Sequence, residues 1–226
     1  MRMALFFLLV TSGLASAQPF QPLFNGKDFD GFHAFARPLP DGTTPDAWKA
    51  WSIKDGVVTC SGLPVSCLAT KAEYENFTLK LKWKYPADAL TRVKRPNSGV
   101  LVHVNGPDKV WPLSYEVQLA NGDAGDLWLQ EDIDKKFPRL DVVKERHDPR
   151  QPRRFIRLGG EAKKLDKPLG EWNSLEIYSG NGMLTIFVNG VQANDATGGS
   201  LSRGRIGFQS EGVEIQFKDV EIKVFK

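Results

Sequence analysis

The 226-residue sequence predicts an all-β sandwich built from two antiparallel sheets, on three observations. Apolar residues recur with a period of two. Turn residues separate these alternating runs at short intervals. No stretch carries the 3.6-residue period of a long amphipathic helix, and there is no alternation of strand and helix signals.

The elements follow in order. From Phe77 to Tyr85 apolar and polar residues alternate without a break, as in a strand with one buried and one wet face. Trp172 to Tyr178 repeats the pattern, with Leu175 and Ile177 on one face. Met183 to Val188 runs into Asn189-Gly190, the strongest short hairpin signal, and Val191 begins the returning strand. Arg205 to Gln209 and Val213 to Phe225 read as two further strands joined by a turn at Glu211-Gly212, and a slip of period at Lys218-Asp219 predicts a bulge. Asp123 to Pro168 is the least regular part, with prolines at 138, 149, 152 and 168, and is expected to lie over one face of the sandwich. No domain boundary and no repeat of fixed period are visible.

The first 17 residues read as a signal peptide: Arg2, an apolar run from Ala4 to Val10 too short to span a bilayer, and the cleavage pattern Ala15-Ser16-Ala17. The mature protein is therefore expected to be exported, to the periplasm or beyond, with residues 20–226 forming one domain and no membrane span. The net charge of +3 says little about partners. Its main source is the stretch from Lys135 to Lys164, where eleven Lys and Arg face four Asp and Glu, and which reads as a solvated loop. It lacks interleaved aromatics, so no nucleic-acid partner is expected. Cys60 and Cys67 flank a turn and are either a disulfide or two buried thiols; no metal-ligand spacing of Cys or His occurs.

Strand alternation sorts the polar residues. Glu116 and Gln118 share one face of Tyr115–Leu119, Gln209 opposes Ile206 and Phe208, and His103 opposes Val100, Val102 and Val104. Three strands are thus apolar on one side and carry a carboxylate, amide or imidazole on the other. One sheet could present that face as a groove, where polar side chains meet sugar hydroxyls and an aromatic such as Trp128 meets the ring. The outer faces of antiparallel sheets are polar in any case, so alternation alone favours ordinary solvent-facing residues over site residues.

Several short motifs occur together and in order: Leu23-Phe24-Asn25-Gly26-Lys27, Trp51-Ser52-Ile53-Lys54-Asp55-Gly56, Asn97-Ser98-Gly99-Val100, Glu116-Val117-Gln118, Gly170-Glu171-Trp172-Asn173, Val188-Asn189-Gly190 and Ile206-Gly207-Phe208-Gln209-Ser210-Glu211-Gly212. In these, from about Phe20 to Phe225, the chain resembles the 3-keto-disaccharide hydrolase domain family. The resemblance implies a concanavalin A-like jelly roll. It implies cleavage of glycosides whose C3 hydroxyl is oxidised to a ketone, by removal of the C2 proton, elimination of the C1 aglycone and hydration. Such chemistry needs no redox cofactor, although a divalent metal could also steady the enolate.

Under that resemblance Glu116 is the expected base, Glu211 the second carboxylate and His103 the acid. Asn97, Gln118 and Gln209 would bind hydroxyls or the enolate oxygen, with Asp126 and Trp128 completing the substrate-binding set. Trp172 and the Asn189-Gly190 turn read as structural. The segment Asp126-Leu127-Trp128-Leu129-Gln130 and the basic stretch after it depart from the commoner family pattern. The competing classes are a carbohydrate-binding module without catalysis and an envelope scaffold. The enzyme reading expects Glu116, Gln118, Gln209 and Glu211 to line one concavity.

Overall fold

The computed structural model describes residues 18–225; the expected signal peptide at residues 1–17 lies outside the described residues. In chain order the strands are β1 (Gln21–Pro22), β2 (Phe32–Ala36), β3 (Trp51–Lys54), β4 (Val57–Cys60), β5 (Ser66–Thr70), β6 (Phe77–Lys84), β7 (Gly99–Asn105) and β8 (Leu113–Gln118). There follow β9 (Leu127–Gln130), β10 (His147–Asp148), β11 (Gln151–Phe155), β12 (Asn173–Gly180), β13 (Met183–Val188), β14 (Val191–Ala196), β15 (Arg205–Ser210) and β16 (Ile215–Val224). A back sheet runs β14-β13-β12-β6-β16-β4-β3, with β1 beside β16, and a front sheet runs β10-β11-β9-β8-β7-β15-β5-β2. All pairings are antiparallel. Helix among the described residues is confined to single turns at Ala89–Arg92, Ala47–Ala50 and Lys144–Arg146. This is the two-sheet jelly roll that the alternation predicts.

The alternation also decides which side chains form the core. Leu79, Leu81 and Trp83 of β6, Ile177 of β12 and Phe217 of β16 face Val100, Val117 and Phe208 of the front sheet. Each buried Leu, Ile or Phe contributes about 1.5–3 kcal/mol of transfer free energy. The Asn189-Gly190 hairpin forms as expected, both residues at positive φ, with Val188 paired to Val191. Asp55-Gly56 and Asn181-Gly182 make the same turn between β3 and β4 and between β12 and β13. The bulge in β16 is present, with Asp219 at φ 50° and a register shift between Lys218 and Glu221.

One open alternative is decided, and two expectations change. Cys60 faces the inter-sheet core from β4, whereas Cys67 lies on the opposite side of the front sheet with Ala69 and Leu101. The two are separate buried thiols, which burial pushes up to about 11 and about 12.

The segment from 123 to 168 does not lie over a face. It supplies β9, β11 and β10 to the edge of the front sheet. It also reaches the edge of the back sheet, where Asn194 of β14 donates to the carbonyls of Gly125 and Phe155 at 3.1 and 3.2 Å.

The basic stretch, in turn, is not simply solvated. Arg146, Arg154 and Arg157 are buried. Arg157 pairs with Asp126 at 2.9 Å and donates to the carbonyls of Gly122 and Glu161, and Arg154 pairs with Asp126 and Asp148. Charges taken out of water must be paired in this way, because an isolated buried ion costs several kcal/mol. Sequence counting sees an excess of cations but not the carboxylates that fold against them.

Candidate functional site

The face of the front sheet turned away from the core forms the floor of a groove of about 1380 Å³. Register sets the floor. Trp128, Glu116, Leu101 and Gly207 are directly paired across β9, β8, β7 and β15, with their side chains on the outer side. Because side chains alternate, Gln118 and Gln130 join the same face, two residues along their strands. The walls come from loops that carry Arg37, Trp48, Arg95, Lys109 and Trp111.

Glu116 is only 4% exposed. Gln130 Nε2 donates to its Oε2, and Gln118 Nε2 donates to Oε1 at 3.3 Å. Burial raises its pKa to about 8, with the nearby charge of Glu211 adding to the rise and the amides of Gln130 and Gln209 opposing it. Glu211 follows β15, where it meets the loops before β7 and β8: Trp111 Nε1 donates to its Oε1 at 2.6 Å and Asn97 Nδ2 to its Oε2. Burial raises the Glu211 pKa as well, but these two donors favour its ionised form. The arrangement is a coupled carboxyl pair in which the proton is held more firmly on Glu116.

Gly99 opposes Gln118 across β7 and β8. A Cβ there would lie 2.7 Å from Glu116 Oε1 and collide with Gln209 Oε1. The absence of a side chain at this position is what lets both groups approach the backbone. Gln209 itself is 0% exposed, and neither atom of its amide makes a well-formed hydrogen bond. It packs beneath the carboxyl rather than lining the groove. Gln118 lines the groove, but its Oε1 is held by the N–H groups of Leu119 and Ala120 at 2.9 and 2.8 Å. It positions Glu116 as much as it meets a ligand.

The structure thus brings together Glu116, Glu211, Asn97, Gln118, Trp128 and, below them, Gln209. Two expected members are elsewhere. His103 is a correction. It sits at φ 53° in a bulge where Val102 pairs with Tyr115 but Asn105 pairs with Leu113, so one extra residue reverses the parity. Its ring points into the core between Phe77 and Tyr115, and Nε2 lies 2.6 Å from Ser179 Oγ of the back sheet. Burial lowers its pKa to about 4. Asp126 is the second correction: its fully buried carboxylate accepts from Arg154 Nε at 2.8 Å and Arg157 N at 2.9 Å, behind the groove.

Trp128 lines the wall, but Arg153 and Arg154 lie 5.1 and 5.8 Å from its ring centre, so guanidiniums rather than open space face the indole. Sequence reasoning missed Gln130, Trp48, Trp111 and Arg153. Gln130 shares the parity of Trp128 and was legible from it. Trp48, 41% exposed on the wall, and Trp111 sit in loops that carry no periodic signal. Among the described residues no cluster of three or more His, Cys, Asp or Glu side chains is placed to hold a metal ion. No helix there is long and apolar enough to cross a membrane.

Fold and site together define a concanavalin-like jelly roll whose outer front face is a groove with a buried carboxyl pair on its floor. Residues 19–223 match the model of the 3-keto-alpha-glucoside-1,2-lyase-like domain, and the chain belongs to that family. Two solved structures of candidate glycosyl hydrolases from Parabacteroides distasonis superpose with TM-scores of 0.61 each. They are 25% and 21% identical and cover 92% of this chain, and 94% and 100% of their own. A carbohydrate-binding module from Bacillus subtilis shares the fold alone, at TM-score 0.52 and 10% identity over 85% of this chain and 95% of that one. No curated protein sequence matches the chain.

Proposed function

We propose that this protein is an exported enzyme that cleaves 3-keto-glycosides in the front-sheet groove. The observation that carries the reading is the coupled pair of Glu116 and Glu211, both raised by burial, with Glu116 at about 8 while two donors on Glu211 oppose its rise and favour its ionised form. A groove that only held sugar would gain nothing from two desolvated carboxyls, since a buried like-charged pair destabilises the fold that contains it.

The C3 ketone acidifies the C2 proton. Ionised Glu211, steadied by Trp111 and Asn97, takes that proton, and the electron pair passes to the C3 oxygen as an enolate. Glu116, with a pKa near 8, holds its proton at neutral pH and gives it to the C1 oxygen as the C1–O bond breaks. The aglycone leaves as a neutral alcohol and a C1–C2 enone remains. Water then adds its oxygen to C1 and a proton to C2, with the two carboxyls exchanging roles, and 3-keto-sugar is released. This differs from the sequence reading, in which Glu116 is the base and His103 the acid, because burial keeps Glu116 protonated at neutral pH.

The test is turnover of 3-keto-glucosides and 3-keto-disaccharides beside their unoxidised parents. The expected result is release of aglycone from the keto forms only, with kcat/KM falling on the alkaline side near pH 8 and abolished in Glu116→Gln. A kcat/KM that instead rises through pH 8 would return Glu116 to the role of base. No release from any keto substrate would overturn the enzyme reading.

A further inference from the structure

Cations and carboxylates on the groove lining are equal in number, but they are not all paired with one another. Arg95 pairs with Asp123, Lys135 with Glu131 and Asp108 with Arg205. Lys109 donates to a carbonyl, that of Asp132, at 3.1 Å. Asp46 is used by the backbone N–H of Trp48. Among the described residues Arg37 and Arg153 have no carboxylate partner within ion-pair distance: Arg37 lies over Trp111 at 5.4 Å, and Arg153 lies over Trp128 and reaches Gln130 Oε1 at 3.4 Å.

Arg153 is the more informative of the two. It is half-buried, it lies close enough to Glu116 for its charge to be felt there, and it immediately precedes a buried arginine saturated with acids. Four carboxylates surround Arg154, the next residue, and none reaches Arg153. A partly desolvated guanidinium with free N–H donors, lying over an indole, is held ready for a planar anion that can accept two hydrogen bonds.

We infer that the groove selects glycosides bearing a carboxylate, which Arg153 binds beside the reacting sugar. The carboxylate could stand at C6 of the ring, as in a uronide, or on the aglycone; the chemistry recognised is the same. This rests on the glycoside-cleaving reading above and names its substrate class. The preference is electrostatic in part, so it weakens as salt rises.

The experiment compares kcat/KM for a phenyl 3-keto-glucoside, the corresponding phenyl 3-keto-glucuronide and a carboxyphenyl 3-keto-glucoside, in wild type and in Arg153→Gln. Wild type is expected to favour one or both carboxylated forms about tenfold or more, the size of one charge-assisted hydrogen-bonded contact. Arg153→Gln brings the ratio to about one, whatever its absolute rate. Which carboxylated substrate is preferred distinguishes the two positions. Equal rates on all three substrates in wild type, or an unchanged preference in the variant, would overturn the inference while leaving the cleavage reading standing. Calorimetric binding of the unoxidised glucuronide and glucoside is measured alongside. If nothing turns over, equal affinity for that pair still overturns the inference, and a preference lost in Arg153→Gln still supports it.

Discussion

The raised pKa of Glu116 has a consequence for stability that can be measured without any substrate. The carboxyl titrates at an ordinary 4.5 in the unfolded chain and at about 8 in the folded one. The folded protein therefore keeps a proton that the unfolded chain surrenders as pH rises through that window. Stability is highest below the unfolded value, falls as pH rises and levels off above the folded value. The slope is at most about 1.4 kcal/mol per pH unit, so between about pH 5 and about pH 8 the loss is several kcal/mol, on the order of 3–4. Glu116→Gln replaces the titrating group with a neutral one and removes this slope. Clashes of the new amide with the donors of Gln130 and Gln118 add only a pH-independent offset. Urea unfolding of wild type and variant at several pH values gives the difference curve directly. The expected curve moves in favour of the variant by about 3–4 kcal/mol from acid to alkaline. Parallel curves would refute the account of Glu116 as a desolvated, proton-holding carboxyl and with it the division of labour proposed for the pair.

Two further outcomes follow. Gly99→Ala places a methyl against the ends of the Glu116 and Gln209 side chains, which can swing aside, so the protein is expected to fold with little change in melting temperature but to lose about ten- to a hundredfold in kcat/KM; full activity would show that the carboxyl need not sit where it does. His103→Gln is expected to keep kcat/KM within about twofold of wild type. Because the folded-state pKa of His103 is depressed from 6.5 to about 4, the wild-type stability present above pH 6.5 is lost as pH falls toward 4, and that part of the acid limb should vanish in the variant; a collapse of turnover instead would put the imidazole back in the reaction.

Much of this was legible in the sequence because strand parity is a two-valued signal. Once Val117 is in the core, Glu116 and Gln118 must face the other way, and the same holds for Gln209 against Phe208. The parity argument fails where a residue is inserted. His103 occupies the left-handed region that His, Asn and Asp enter more readily than most residues, and nothing in Val102-His103-Val104 announces it. Loops carry no parity at all, so Trp111, Trp48 and Arg37 had no signal. Nor does charge counting reveal pairing: Asp126 looked like a groove residue beside Trp128, yet the arginines that claim it lie 28 and 31 positions further along.

The buried ionic network and the groove are parts of one construction. Arg154 pairs with Asp126 and Asp148 on one side and lies 5.8 Å from the Trp128 ring on the other. The strands that carry Trp128, Gln130 and Arg153, β9 and β11, lie just inside the two-residue edge strand β10 of the front sheet, near the side where a sheet is ordinarily loosest. A network of hydrogen-bonded charges resists displacement there, because removing any one partner strands a charge away from water at a cost of about 3–5 kcal/mol. The role proposed for the Glu116 carboxyl depends on Gln130 being held where its amide reaches Oε2, and Gln130 belongs to the same short β9 that follows Asp126. The segment that looked least regular in the sequence is therefore the one whose rigidity the site most requires: its cations are spent internally at Arg146, Arg154 and Arg157, and Arg153 is left to face the ligand.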